Sequence, residues 1–341
     1  MMQTHAGKQP EGLTEAICLL SGGLDSALAA KLILDQGIRV YGVHFIIPFG
    51  RFEKQGADLP VCRVASSLGI DVEIVRLGKD FLEIVREPRH GFGSNVNPCI
   101  DCKILMLRKA GDLMRKRGAD FIITGEVVGQ RPMSQRLDSM RRIEKESGFE
   151  GYIVRPLSAR LLPPTRPEIA GLVKRDDLLS IQGRSRKDLM SLAAEKGISG
   201  YSSPAGGCLL TDPRYAERVK DLLRNDMLTL HDVDLLSVGR HFRLPHGSKL
   251  VVGRHKRDNE VLYALADSDD RVLTTPEIPG PTAVLRGRRT GEDEHLAARV
   301  VARYSDAGPS DSVRIRITGR GRETFLEVEP LDRGESAGLM I

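Results

Sequence analysis

No stretch of this 341-residue chain approaches the run of about 20 apolar residues that a membrane-crossing helix requires, so no membrane partner is expected. Residues 1–13 are polar and lack the apolar core of a secretory signal, which points to a cytoplasmic setting. Cysteine is scarce and odd in number. Five in a chain this long argue against a disulfide framework. No Gly-Lys-Ser/Thr follows the first glycine-rich turn, which excludes a Walker-type phosphate loop there. An acidic excess is absent too: the net charge is +5 and the pI about 8.9, a balance that mildly favours an anionic partner. What is present suffices for packed cores, with 40% hydrophobic residues and a length suited to about two domains.

The chain is organised around Ser21-Gly22-Gly23-Leu24-Asp25-Ser26. Before it, Ala16-Ile17-Cys18-Leu19-Leu20 reads as a buried parallel strand; after it, residues 27–34 read as a helix with apolar residues on one face. A strand, a small-residue turn and a helix N-terminus make an anion site, because glycines let backbone N–H groups approach phosphates and the helix dipole favours negative charge. Ser21 and Ser26 offer hydroxyl donors there, and Asp25 offers a Mg²⁺ ligand. Strands at residues 39–45 and 71–77, with helices between them including one over 57–68, give a β-α-β-α-β alternation. That alternation predicts an α/β fold with a doubly wound parallel sheet. Residues 119–126 form a further strand ending at Thr124-Gly125-Glu126, at the carboxyl edge where such sheets bind ligands. Glu126 is open to three readings: catalytic, metal ligand or solvated turn. The polar segment with Gln130, Arg131, Ser134 and Arg136 could reach phosphates, and the basic run 136–145 reads as a solvated face unless RNA is the substrate.

Three cysteines lie in loops. Asn97-Pro98-Cys99-Ile100-Asp101-Cys102 precedes a helix expected from about residue 104 to 117, placing two sulfurs near a helix N-terminus that favours thiolates. Such a pair binds zinc or an iron–sulfur cluster, or performs redox or persulfide chemistry. Cys208 follows Pro204-Ala205-Gly206-Gly207 after a helix over 186–196, and is expected to be accessible. Cys99, Cys102 and Cys208 together can ligate three irons of a 4Fe–4S cluster and leave the fourth open for hydrosulfide. Cys18 and Cys62 read as core packing.

The hexapeptide resembles the SGGxDS loop of the PP-loop (HUP-like) ATP pyrophosphatases. With Asn97-Pro98 before Cys102, Gly118-Ala119-Asp120 through Thr124-Gly125, Pro156-Leu157, and residues 186–197 before Cys208, residues 14–215 resemble the tRNA 2-thiouridylases and the wider tRNA thiolation branch that includes the 4-thiouridine synthases. The resemblance implies ATP and Mg²⁺ bound by Ser21, Gly22, Gly23, Asp25, Ser26, Thr124 and Gly125, with Val43, His44 and Phe45 beside the adenine. It implies Cys102 and Cys208 as catalytic cysteines beside Asp25, tRNA as substrate, and sulfide or a persulfide carrier protein as sulfur donor. Cys99 stands where the family commonly has aspartate, giving the Cys-x-x-Cys of cluster-dependent thiolases. Glu126 stands where many members have histidine.

Domains are expected at 1–226 and 227–341. The order of motifs in the second, including His241-Phe242-Arg243-Leu244-Pro245, resembles the NFACT RNA-binding domain of ribosome quality-control factors, a smaller α+β module. Arg240, Arg243, Lys249, Arg254, Lys256, Arg257, Arg286, Arg288 and Arg289 are expected to form a phosphate-binding face, and disorder is expected after about residue 332. Three function classes remain open. They are ATP-dependent tRNA thiolation, a PP-loop enzyme using cysteine-bound zinc on another base or a small molecule, and a non-catalytic RNA-binding factor.

Overall fold

The structure, a computed structural model, describes residues 13–50, 59–202, 207–288 and 290–341. Nearly all of the polar tail, the first residues of the 57–68 helix, Pro204, Ala205, Gly206 and Arg289 lie outside the described residues. The chain divides into two compact units. The first holds the described residues up to 47, of 59–93 and of 98–207; the second holds 48–50, 94–97 and the described residues from 208 onward. Among the described residues no helix is long and apolar enough to cross a membrane.

In the first unit the elements run β1 (Glu15–Leu19), α1 (Leu24–Leu34), β2 (Arg39–Ile46), α2 (Pro60–Leu68), β3 (Val72–Arg76), α3 (Lys79–Arg86), α4 (Cys99–Arg117), β4 (Phe121–Thr124), α5 (Leu137–Ser147), β5 (Ile153–Val154), α6 (Arg166–Ile169) and α7 (Lys187–Glu195). Five strands form one parallel sheet in the order β3-β2-β1-β4-β5, the doubly wound sheet that the alternation predicts. Central β1 is apolar throughout because both of its faces are covered. Ala16 and Cys18 join the core built on α1, while Ile17 joins the one built on α4. Burial pushes the Cys18 thiol up to about 12, so it packs as a small hydrophobe.

Two helices differ from expectation. Helix α1 is not one-faced: Leu24, Ser26, Ala27, Leu28, Ala29, Ala30, Leu32 and Ile33 are all buried, because β2, β4, α2 and α7 surround it and its alanines permit close approach. Helix α4 begins at Cys99 rather than residue 104. The apolar period Ile100, Ile104, Leu107, Met114 already starts there, and the Cys102 N–H donates to the Pro98 carbonyl at 2.9 Å. The cysteines therefore occupy the helix's first turn, not a loop before it.

The second unit contains α8 (Pro213–Arg224), α9 (Leu230–Leu235), β6 (Arg240–Arg243), β7 (Lys249–Val252), α10 (Lys256–Leu265), β8 (Arg271–Thr274), β9 (Ala283–Arg286), α11 (Gly291–Arg303), β10 (Val313–Gly319), β11 (Arg322–Val328) and α12 (Arg333–Gly338). Its six strands form an antiparallel sheet, β11-β10-β8-β9-β7-β6, packed on α11 through Ala297, Ala298, Val300 and Val301. Helix α8 clusters with this unit, which therefore starts before residue 227. The C-terminal residues are docked rather than disordered. The Arg243 N–H donates to the Leu339 carbonyl, and the Ile341 N–H to the His241 carbonyl, each at 2.9 Å.

Candidate active site

The phosphate loop closes between the end of β1 and the start of α1, and its own hydroxyls brace it. The Ser26 hydroxyl donates to the Gly23 carbonyl at 3.0 Å and accepts from the Ser21 N–H at 3.1 Å. With that proton committed, the 3.0 Å contact between the two hydroxyls leaves Ser21 as donor to Ser26, and Ser21 Oγ accepts from the Gly23 N–H at 3.3 Å. In this structure the Ser26 hydroxyl braces the loop from within. Gly22 has φ +77, and a Cβ on it would fall 2.6 Å from the Val61 nitrogen. A Cβ on Gly125 would fall 2.5 Å from the Ser26 nitrogen, so the end of β4 lies directly against the first turn of α1. Side chains at either position would force the backbones apart.

Asp25 stands in the first turn of α1, where the helix dipole favours a carboxylate. Its Oδ2 accepts from Gln130 Nε2 at 3.0 Å and from Arg186 Nη2 at 3.4 Å. Its Oδ1 is buried with no hydrogen-bond partner. An anionic oxygen left this way is the atom that a divalent cation would satisfy. Gln130 reaches the loop, as one of the polar residues expected near phosphates. Ser134 does not, being wholly buried with its hydroxyl unpartnered. Arg186 carried no signal in the sequence beyond opening a helix.

His44 lies beside this edge as a brace. Its Nδ1 donates to the Leu20 carbonyl at 2.8 Å, and burial lowers its pKa despite that bond, which leaves the ring neutral at pH 7. Val43 is 1% exposed, and its carbonyl accepts from the Leu20 N–H. Phe45 is half-buried and packs against the core on α4.

Glu126 is not a solvated turn residue. It is 3% exposed, and its Oε2 accepts from Thr124 Oγ1 and from Arg155 Nε, both at 3.1 Å. Lys103 Nζ stands 3.4 Å from Oε1. Burial works against its charge, yet Lys103 and Arg155 hold its carboxyl down to about 2. Lys103 directly follows Cys102. The ion pair therefore fastens the first turn of α4 to the end of β4, which itself abuts the phosphate loop at Gly125. Cys99 and Cys102 sit three residues apart on that turn, on one side of the helix and half-buried.

Cys208 belongs to the second unit and is half-buried. Its carbonyl accepts from the Thr211 N–H at 2.8 Å and from Thr211 Oγ1 at 2.6 Å. Among the described residues no group of three or more His, Cys, Asp or Glu side chains is gathered as a metal site.

The expected phosphate-binding face of the second unit is divided between buried, half-buried and exposed cations. Lys249 is 2% exposed and bonds Asp221 at 2.6 Å; Arg243 grips the same carboxylate at 2.6 and 2.9 Å. Arg286 is 8% exposed and bonds Asp270 and Asp232. Arg254 pairs with Asp258, and Arg240 lies over the Tyr304 ring. Arg254, Lys256, Arg257 and Arg288 are exposed.

Comparison with known proteins fits this division. Residues 12–160 match the family described as thiamine biosynthesis protein (ThiI), and residues 239–338 match the NFACT protein RNA binding domain. The tRNA-specific 2-thiouridylase MnmA of Thiobacillus denitrificans is 26% identical over 78% of this chain and 76% of its own length. A protein of Bacillus pumilus named "Probable tRNA sulfurtransferase" is 34% identical over 45% of this chain, which spans only 37% of that relative. Among solved structures, a 4-thiouridine synthetase in complex with RNA and ATP aligns at 21% identity. That alignment covers 66% of this chain and 52% of the other, with a TM-score of 0.41. Residues 12–160 are thus similar to the ThiI family and residues 239–338 to the NFACT RNA-binding domain.

Proposed function

We propose that the protein thiolates a uridine of tRNA at the expense of ATP, in a cytoplasmic setting. The observation that carries this reading is the chain of contacts from the cysteine turn of α4, through Lys103 and Glu126, to Gly125 and the phosphate loop. It joins a thiol pair to a nucleotide site within one unit. Backbone N–H groups at the loop and the α1 N-terminus would receive the ATP phosphates, and Asp25 Oδ1 would hold Mg²⁺. The uridine carbonyl oxygen attacks the α-phosphorus and pyrophosphate leaves. Sulfur then attacks the activated carbon, and the oxygen departs on AMP.

The thiolate donors suit a 4Fe–4S cluster, with Cys99, Cys102 and Cys208 as the residues that would hold it. Such a cluster would supply an open iron at which sulfide is kept ready for transfer; the sulfide would come directly, or from a persulfide carrier protein once a thiol reductant has released it by two-electron reduction. The residues of this chain position the nucleotide and aim the sulfur; the NFACT-type domain would capture the RNA.

The test is metal analysis of anaerobically purified protein alongside AMP release with and without tRNA, repeated for single cysteine-to-alanine variants. Loss of iron and thiolation together in Cys99→Ala, Cys102→Ala and Cys208→Ala, with both retained in Cys18→Ala and Cys62→Ala, is the expected result. An active, iron-free wild-type enzyme would overturn the cluster. In that case Cys99→Ala should stay active while Cys102→Ala and Cys208→Ala do not, as a persulfide route requires.

A further inference from the structure

A half-buried histidine, His90, contacts the cysteine turn, and neither the phosphate loop nor the Glu126 ion pair uses it. The His90 backbone N–H donates to Asp101 Oδ2 at 3.1 Å, and His90 Nδ1 lies 2.8 Å from Asp101 Oδ1. The other ring nitrogen, Nε2, lies 3.0 Å from Glu146 Oε1 on α5. A carboxylate oxygen at each ring nitrogen favours the doubly protonated ring, which donates from both. Its side chain is 8% exposed. Burial opposes that charge, but the bonds to Asp101 and Glu146 outweigh it and raise the pKa.

Asp101 lies between Cys99 and Cys102 in the first turn of α4 and is itself 8% exposed. A carboxylate there would ordinarily turn to the free amides of its own helix, yet no side chain caps α4 and both Asp101 oxygens go to His90. Glu146 is held in turn by Arg89 at 3.4 Å, and its carbonyl accepts from Arg108 Nη2 at 2.8 Å. Three segments therefore meet on one ring: the turn carrying His90, the start of α4, and the end of α5.

We propose that His90, anchored by Asp101 and Glu146, is a positioning residue for the cysteine pair. It pins the first turn of α4 at Asp101, two residues before the Lys103–Glu126 attachment, so that Cys99 and Cys102 are presented at fixed spacing. Helix ends fray readily, and a frayed turn would let the two sulfurs drift apart. The role rests on the reading that these cysteines act in sulfur transfer; the pinning itself does not.

The test uses the full-length protein and pairs residue-resolved hydrogen exchange with steady-state kinetics for His90→Ala, Asp101→Asn and Glu146→Gln. In His90→Ala and Asp101→Asn the Cys102 amide should exchange at least about tenfold faster, while amides of β1, β2 and β4 keep wild-type protection. Thiolation kcat should fall at least about tenfold, with KM for ATP within about twofold of wild type. Glu146→Gln keeps an acceptor at Nε2 and should fall between wild type and His90→Ala in both readouts. Wild-type protection at Cys102 in both His90→Ala and Asp101→Asn overturns the proposal. So does loss of protection throughout the sheet in both, which would make the contact a general support of the fold. If the wild-type protein thiolates no RNA, the functional reading fails, while exchange at Cys102 still decides the pinning.

Discussion

Each unit buries one carboxylate between an arginine and a lysine, and the two trios are built to different degrees of completeness. In the second unit Asp221 receives Arg243 on both oxygens and Lys249 on one, all between 2.6 and 2.9 Å. In the first unit Glu126 Oε1 and Arg155 Nη2 are buried without a hydrogen-bond partner, and Lys103 stays at 3.4 Å. A saturated buried network makes a rigid scaffold, whereas an under-satisfied one carries an energetic cost that the fold must offset elsewhere. The incomplete trio is the one beside the phosphate loop and the cysteine turn. The complete one absorbs cations that sequence reading assigns to a phosphate-binding surface. A cation count along a sequence therefore overstates a binding face wherever carboxylates lie at matching depth.

The sharpest break in this comparison comes from the loop of the first unit. Asp25→Asn should lower AMP formation by at least about 100-fold, since a neutral amide cannot replace a carboxylate at a divalent cation. Circular dichroism and the unfolding midpoint should stay close to wild type, as the Gln130 contact can persist. Turnover at the wild-type rate would remove Asp25 from the site. Next in size is Asp221→Ala, which leaves Lys249 and Arg243 buried without their counter-charge and should cost about 3–5 kcal/mol in the second unit. Hydrogen exchange should rise in β6 and β7 while β1 and β4 are unaffected; an equal rise in both sheets would show that the units do not unfold separately.

The two trios should both gain stability as pH rises, but in separate windows. The folded Glu126 carboxyl lies near 2, below its ordinary 4.5, so its contribution is complete above about 4.5 and is lost as pH falls through 2. Burial, outweighing the attraction of Asp221, pulls the Lys249 ammonium down to about 8 from 10.5. Folding thus releases a proton between those values, and the second unit should gain stability as pH rises from about 8 to 10.5. Exchange protection of β4 and β7 across the two windows checks both signs, and Glu126→Gln should flatten the acid limb. The smallest effect is expected from the exposed cations. Lys256→Ala and Arg257→Ala should each weaken RNA binding about two- to threefold and reduce its salt slope by about one, without altering stability. Arg243→Ala should instead lower stability first. The reverse pattern would return Arg243 to the binding face.

How much of this was legible depended on whether a feature is local in sequence. The parallel sheet and the strand–turn–helix at residues 15–34 follow from short apolar runs and a six-residue motif, and the structure carries them as read. The start of α4 was misplaced because Asn97, Pro98 and the polar Asp101 and Lys103 obscure a helical period that begins at Ile100. Glu126 stayed ambiguous because its partners, Lys103 and Arg155, are 23 and 29 residues away and only the sheet brings them together. Nothing near His90 signals its role, since Asp101 and Glu146 meet it from two different helices. The docked C-terminus was hidden by composition: glycine, aspartate and arginine look disordered, yet Leu339 and Ile341 find backbone partners along β6.

The brace inside the phosphate loop bears on how fast a nucleotide can be taken up. Ser21, Gly23 and Ser26 already satisfy one another, and Gly22 and Gly125 leave no slack between the backbones. The ordering entropy of the loop is met during folding rather than on ligand arrival. Association should then be governed by diffusion and by release of water from the cradle, with a rate linear in ATP concentration and no plateau from a preceding rearrangement.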